Sequence, residues 1–336
     1  MAKKKANYNK WLLIGLLSVV IGAPNGTIIK TTLGEINSTT FTFLKFAMMF
    51  VVFLPMVISF ILRHRKILKK NARNLTISVI GTAVSVIVFY KAIEYSAASY
   101  ASIISLISPI ILVIMSNRLI KEKFGPRAVA GITLAAIGGL LVVAVPAIFR
   151  GSAASVFYPL ATVLVLINCL SSPVSVIYQR KANEGGVSFS VYAGLSSLAT
   201  ALVALVLSWI ESGPGEIIAQ TAGLSFWGWV GIAYSAFVVS FASRSLWIIA
   251  YQRMGSTVSG GLSYLETLLA IALPIILLGE KISLELVTGA LLILLGIYIA
   301  ESRPRRPKSK SKPKSKTKAP HHTTRSHYLQ NRHHLR

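Results

Sequence analysis

Six ionisable side chains interrupt the long apolar stretches of this 336-residue chain: Lys30, Lys45, Lys91, Glu94, Arg244 and Glu266. A charge in the middle of a lipid-embedded helix costs ~2.5–3.5 kcal/mol or more, so each is a candidate for function. Glu266 is the lone carboxylate in the interior of Gly260–Lys281, and it is the candidate proton site or amine site. Lys45 and Arg244 are the candidates for the anionic end of a substrate, because charge-assisted hydrogen bonds hold carboxylates and phosphates firmly. A structural alternative stays open for Arg244 and Glu266, which fall at comparable depth and can satisfy each other. Lys91 and Glu94 are one turn apart and are expected to pair. Lys30 is expected to snorkel toward the surface.

Residues at i, i+4, i+7 and i+11 share one helix face, and five segments carry polar or aromatic stripes at that spacing. The stripes are Ser38, Thr42, Lys45, Met49; Ser78, Thr82, Ser85, Phe89; Asn168, Ser172, Ser175, Gln179; Ser240, Arg244, Trp247, Tyr251; and Ser259, Ser263, Glu266, Ala270. If they converge, Lys45, Ser85, Asn168, Arg244, Trp247, Tyr251, Ser263 and Glu266 form a substrate-binding set. The competing reading is packing, since membrane helices also use small and hydroxylated residues to approach one another closely. Pro24, Pro109, Pro173 and Pro274 each remove a backbone donor inside an apolar segment. They are either tolerated kinks or the hinges of a moving carrier.

Other chemistries lack their residues. There is one cysteine, Cys169, and no aspartate, and five of the six histidines lie at or beyond His321, so no metal site or cofactor is expected. No phosphate-binding glycine loop is present, which argues against direct ATP coupling. No acid–base cluster stands at a membrane edge, so an enzyme is not expected.

These residues must be positioned by membrane helices. The composition is 54% hydrophobic and 13% charged with mean hydropathy +0.65, against a charged share of roughly a quarter in soluble domains. Ten segments are long enough to cross a bilayer, roughly 11–33, 39–62, 74–94, 98–119, 126–148, 155–179, 187–210, 225–251, 256–279 and 283–301. The N-terminal Met-Ala-Lys-Lys-Lys resembles the start of a signal peptide, but 11–33 is long for one and is taken as the first span. With the N-terminus inside, seventeen Lys and Arg fall in inside loops and two, Arg150 and Lys281, in outside loops. The positive-inside rule then expects both termini to be cytoplasmic. The net charge of +25 is therefore read as a topology signal rather than a nucleic-acid surface. Twelve of the cations lie in Arg303–Arg336, a proline-spaced tail expected to be disordered, with contact to anionic lipid as its candidate role.

The chain also repeats itself. At an offset of 158 residues, Ala92 pairs with Ala250, Ser105 with Ser263, Glu122-Lys123 with Glu280-Lys281, Gly131 with Gly289 and Gly138 with Gly296. The fold expected is all-α and integral to the membrane, with ten transmembrane helices as two five-helix repeats. Because five is odd, the second repeat is inverted. The expected segments are a basic N-terminus (1–10), a first repeat (11–148), a linker (149–154), a second repeat (155–301) and the tail (302–336). Glu122 and Glu280 are read as helix-capping groups.

These features resemble the EamA-type permeases of the drug/metabolite transporter superfamily. The likeness rests on two repeats that each close with Pro, an apolar run, Glu-Lys and a Gly-containing last segment. It also rests on Lys45-Phe46 and on Tyr90-Lys-Ala-Ile-Glu-Tyr-Ser-Ala-Ala-Ser-Tyr-Ala-Ser. The family often shows an aromatic and Gly where this chain has Ile21-Gly-Ala-Pro-Asn-Gly. The resemblance implies a multi-pass permease of the plasma membrane, or of the inner membrane in a bacterium. Such a permease exports or exchanges small polar metabolites such as amino acids. An organophosphate or nucleotide-sugar exchanger is the alternative within transport, and a membrane scaffold the alternative outside it. The expected partners are a small-molecule substrate and the lipid bilayer, with the chain as monomer or homodimer.

Overall fold

The computed structural model describes residues 2–108, 111–112, 114–115, 126–148, 158–243, 245–247, 249, 256–281 and 284–301, and the regular structure among them is helical. Helix α1 (Ala2–Gly22) is separated from α2 (Asn25–Thr32) at Ala23–Pro24. Pro24 cannot donate to the helical ladder, but its carbonyl accepts from Ile28 at 3.0 Å and so starts α2. Asn37 then opens α3 (Ser38–Tyr95), its side chain accepting the Thr40 N–H at 2.8 Å as an N-cap should. The later elements are α4 (Ala98–Ser105), α5 (Pro126–Ile148), α6 (Pro159–Glu184), α7 (Phe189–Gly223) and α8 (Phe226–Ala233). A π-helical segment (Tyr234–Ser243), α9 (Ser256–Leu278) and α10 (Leu284–Glu301) complete the order.

The expected ten transmembrane helices in two inverted five-helix repeats are not what the described residues form. Among the described residues, five stretches are long and apolar enough to cross a membrane: Lys10–Thr32, Ser38–Tyr95, Pro159–Glu184, Phe189–Gly223 and Phe226–Trp247. The expected second and third spans are one helical element, α3, whose backbone leaves helical geometry only at His64 (φ −129°, ψ 32°). The stretch between the two apolar runs is basic, yet Arg63–Arg73 holds no Gly or Pro, and Arg, Lys and Leu are good helix formers. At His64 the element turns back on itself, so that the rings of Phe41 and Tyr90 meet edge-on at 5.5 Å. The expected seventh span runs to a break at Gly213 (φ 78°), and a second helical stretch, 214–223, follows it. Of the expected fourth span, α4 covers Ala98–Ser105, and much of the remainder lies outside the described residues. The expected fifth, ninth and tenth spans correspond to α5, α9 and α10, of which Val129–Gly139, Leu265–Leu278 and Val287–Gly296 are the apolar parts among the described residues. The placement of both termini in the cytoplasm alternated loops over ten crossings, and it loses its basis with that count.

Met1–Ser302 form one compact unit. Arg303–Arg336, the expected basic tail, form a second unit and lie outside the described residues. In the first unit α3 packs along α6 and α7, and α5 packs along α10. Leu62, Ile210, Trp227 and Leu284 expose 75–78% of their surface. Large apolar side chains carried outward on this scale suit lipid rather than water.

Polar groups at the helix ends are closely accounted for. Lys91 pairs with Glu94 at 3.3 Å, and also with Glu211 at 2.8 Å. Lys30 does not snorkel. Its Nζ donates to the carbonyls of Ile93 (2.8 Å) and Ser96 (2.6 Å) and so closes the C-terminal end of α3. Glu280 caps a helix distant in sequence, accepting from the N–H groups of Ala98 and Ser99 at 2.8 and 2.9 Å at the start of α4. Glu35, not singled out from sequence, accepts from the N–H and hydroxyl of Ser225, both at 2.8 Å, ahead of α8. Glu122 lies outside the described residues.

Candidate functional site

A cavity of about 450 Å³ lies among α1, α3, α6, α7, the π-helical segment, Trp247 and α9. Its wall is mostly hydroxyl and aromatic: Ser18, Thr82, Ser85, Ser172, Ser175, Ser196, Ser197, Ser240 and Ser243 with Phe46, Phe189, Tyr192 and Trp247. Gln179 adds an amide, and Glu266 is the one charged side chain among the described lining residues.

Two reciprocal serine clasps hold this wall. Ser18 Oγ donates to the Ser243 carbonyl and Ser243 Oγ to the Ser18 carbonyl, each at 2.9 Å, locking α1 to the π-helical segment. Ser78 Oγ donates to the Ser175 carbonyl at 2.7 Å and Ser175 Oγ to the Ser78 carbonyl at 2.8 Å, locking α3 to α6. Thr82 and Tyr192 extend the second clasp to α7, because the Tyr192 hydroxyl meets those of Thr82 and Ser175 (3.1 Å to the latter). Each bond joins two helices, and the four clasp serines are buried.

Two irregular pieces of backbone face each other beside the cavity. The Tyr234 hydroxyl donates to the Ile21 carbonyl at 2.7 Å, just before the break at Ala23–Pro24. Ser235 Oγ donates to Asn25 Oδ1 at 2.8 Å on the far side of that break. Ser240 Oγ donates to the Ser235 carbonyl, five residues back, at 2.9 Å, in keeping with the wider π turn. Broken and π-helical backbone is tolerated at membrane depth where such side chains satisfy the freed groups, and it recurs at functional sites.

The sequence-based candidates divide. Glu266, Trp247 and Ser85 line the cavity. Asn168 does not, but its Nδ2 donates to the carbonyl (2.9 Å) and hydroxyl (2.7 Å) of Ser85 and orients that lining residue. Lys45 is also absent from the wall. It is 2% exposed, and its Nζ donates to Tyr90 Oη at 2.7 Å while standing 5.1 Å from the Tyr90 ring and 5.6 Å from that of Phe46. Arg244, Tyr251 and Pro109 lie outside the described residues, as does the side chain of Ser263. Pro173 and Pro274 stand inside α6 and α9, while Pro24 marks the break between α1 and α2. Sequence reasoning missed the α7 wall, although Phe189, Tyr192, Ala193, Ser196 and Ser197 recur at i, i+3, i+4, i+7 and i+8. Ser18 lay on no stripe and gave no comparable signal. Among the described residues, no three His, Cys, Asp or Glu side chains group as a metal site.

An apolar exterior around a polar chamber walled by helices and broken backbone is the build of a membrane carrier for small solutes. The chain belongs to the EamA-like transporter family, whose sequence model matches residues 9–144 and 159–301. A protein of known crystal structure shares the fold at TM-score 0.55 and 19% identity, over 87% of this chain and 96% of its own. No curated protein matches. Family membership makes the chain a multi-pass transporter of the plasma membrane, the inner membrane in a bacterium, and not an enzyme. Its partners are a small-molecule substrate and the bilayer.

Proposed function

We propose that this transporter exports or exchanges small polar metabolites that carry an amine, amino acids among them, through the cavity around Glu266. The observation that carries this reading is the character of the wall. Among the described lining residues, one carboxylate stands with hydroxyls and aromatic rings, Trp247 included, a setting that receives an ammonium by charge pairing and by ring-face attraction. Neutral donors on the same wall, Gln179 and the serines, suit the carboxylate end of an amino acid. Ser197 adds to this, since its buried hydroxyl has no hydrogen-bond partner among the described residues. The organophosphate alternative rests on cations outnumbering carboxylates inside the apolar segments; of these, Lys45 turns its ammonium onto Tyr90, and Arg244 lies outside the described residues.

Both segments matched by the family model build the chamber: Ser18, Phe46, Thr82 and Ser85 come from the first, and Ser172, Tyr192, Ser240 and Glu266 from the second. Movement of one against the other would open it to alternate sides. Pro24, Pro173 and Pro274 are the proposed flexing points. Counterflow into proteoliposomes tests the reading. Amino acids loaded inside should drive uptake of labelled amino acid, and organic phosphates should not compete. Phosphate competition at low concentration, or no flux of any amine, would sink the proposal.

A further inference from the structure

A second cavity, of about 420 Å³, opens between α3 and the start of α7 and shares no lining residue with the first. On α3 it is lined by Pro55, Met56, Ser59, Phe60, Arg63 and His64, whose spacing puts them on one helix face. From the α7 side come Ser188, Ser190 and Val191. The lining therefore runs from apolar to cationic within about two turns. Its apolar end rests on a packed base, where Val57 and Phe53 of α3 close onto Gly194 of α7. At the other end the His64 ring leans on Phe60 at 5.0 Å, at the point where α3 turns back.

Among the described residues, none of the ion pairs involves Arg63 at the cationic end. Arg65, Lys66, Lys69, Lys70 and Arg73 follow on exposed positions and draw anions to the same end of the molecule. Exposed Leu62 beside Arg63 places this transition at the edge of the apolar belt. A ligand that matches must be amphiphilic, with an anionic head and an apolar body, and must arrive from the membrane. We propose that this cavity holds an anionic phospholipid, its phosphodiester on Arg63 with the hydroxyls of Ser188 and Ser190, and the first part of an acyl chain along Met56 and Phe60. A planar guanidinium grips two phosphate oxygens at once, which an ammonium cannot do.

The test uses the full chain, incubated in detergent with vesicles of equal parts phosphatidylglycerol and phosphatidylcholine, repurified, and its retained lipid counted by native mass spectrometry. Wild type should retain phosphatidylglycerol severalfold over phosphatidylcholine. Arg63→Ala should erase the preference, while Arg65→Ala, off the lining, should keep it. Equal retention of the two lipids by wild type, or equal loss in both variants, would overturn the proposal. If Arg63→Ala does not fold, the Ser188→Ala/Ser190→Ala pair replaces it with the same expectation. Inorganic phosphate should not displace the lipid, and displacement by it would mark a site for free anions instead.

Discussion

The carboxylate of Glu266 on α9 lies against the backbone of Gly22 on α1: a methyl group added at Gly22 would stand 2.8 Å from Oε1, and equally 2.8 Å from Ser243 Oγ. The absence of a side chain at Gly22 is thus what lets a charged residue, a clasp serine and a helix end meet at the cavity wall. Gly22→Ala should push the carboxylate from its place without unfolding the chain. The atoms in its way are the ends of the Glu266 and Ser243 side chains, which can swing aside, so the fold should hold while substrate affinity falls by roughly tenfold, about 1.4 kcal/mol. Thermal stabilisation by substrate, compared between wild type and variant, checks this, and unchanged affinity would count against Glu266 as a binding group.

Glu266→Gln keeps the shape and removes the charge. If Glu266 carries the coupling proton, gradient-driven accumulation should be abolished while substrate exchange in proteoliposomes continues. If it binds only the amine, both should fall together. An unchanged pH dependence of uptake would remove the proton role.

How much of this was legible in the sequence varies with the kind of signal. The polar stripes contain Glu266, Trp247, Ser85 and much of the α6 side of the cavity lining, because helix periodicity is a local property. The offset of 158 residues paired Gly131 with Gly289 and Gly138 with Gly296, and in the fold these same glycines meet across α5 and α10. Two features were less legible. Lys45 shares a stripe with Met49, which lines the cavity, but a long flexible side chain follows its partner, and Tyr90 lies 45 residues away. The turn of α3 was only partly legible, because a basic run reads as a loop by charge and as a helix by propensity, and helix runs through it on both sides of the break at His64.

Lys45 gives a prediction of its own. Buried against Tyr90, it should matter for stability more than for flux. Tyr90→Phe leaves the ammonium without its hydrogen-bond acceptor, at a cost of about 1–3 kcal/mol. Lys45→Met replaces the charged group with an apolar chain of similar length, an exchange that is often neutral or stabilising for buried charges. Amino-acid counterflow should therefore survive Lys45→Met. Loss of flux in a well-folded Lys45→Met protein would return Lys45 to the substrate site.

The serine clasps should behave as coupled units. Interhelical hydrogen bonds in membranes average about 0.6 kcal/mol and reach about 1.7. Ser18→Ala and Ser243→Ala each delete one bond of the pair and disturb the other. Their effects on thermal stability should then be less than additive in the double variant, and the same should hold for Ser78→Ala with Ser175→Ala. Strict additivity across both cycles would mean that the bonds do not act together.

The contact between α5 and α10 is reciprocal. A methyl at Gly138 would lie 2.7 Å from the Gly289 carbonyl oxygen, and one at Gly296 would lie 2.5 Å from that of Gly131. Each helix thus offers a bare glycine to the other's backbone, and backbone, unlike a side-chain tip, cannot swing aside. Gly296→Ala should force the pair apart and cost about 1–3 kcal/mol, with Gly138→Ala close behind. Gly26, where an added methyl meets nothing within 4 Å, supplies the control: Gly26→Ala lies in α2 and should leave stability unchanged or slightly raised. Melting temperatures of the three variants in one detergent decide the matter. Equal melting of Gly296→Ala and Gly26→Ala would mean that α5 and α10 do not pack through their glycines.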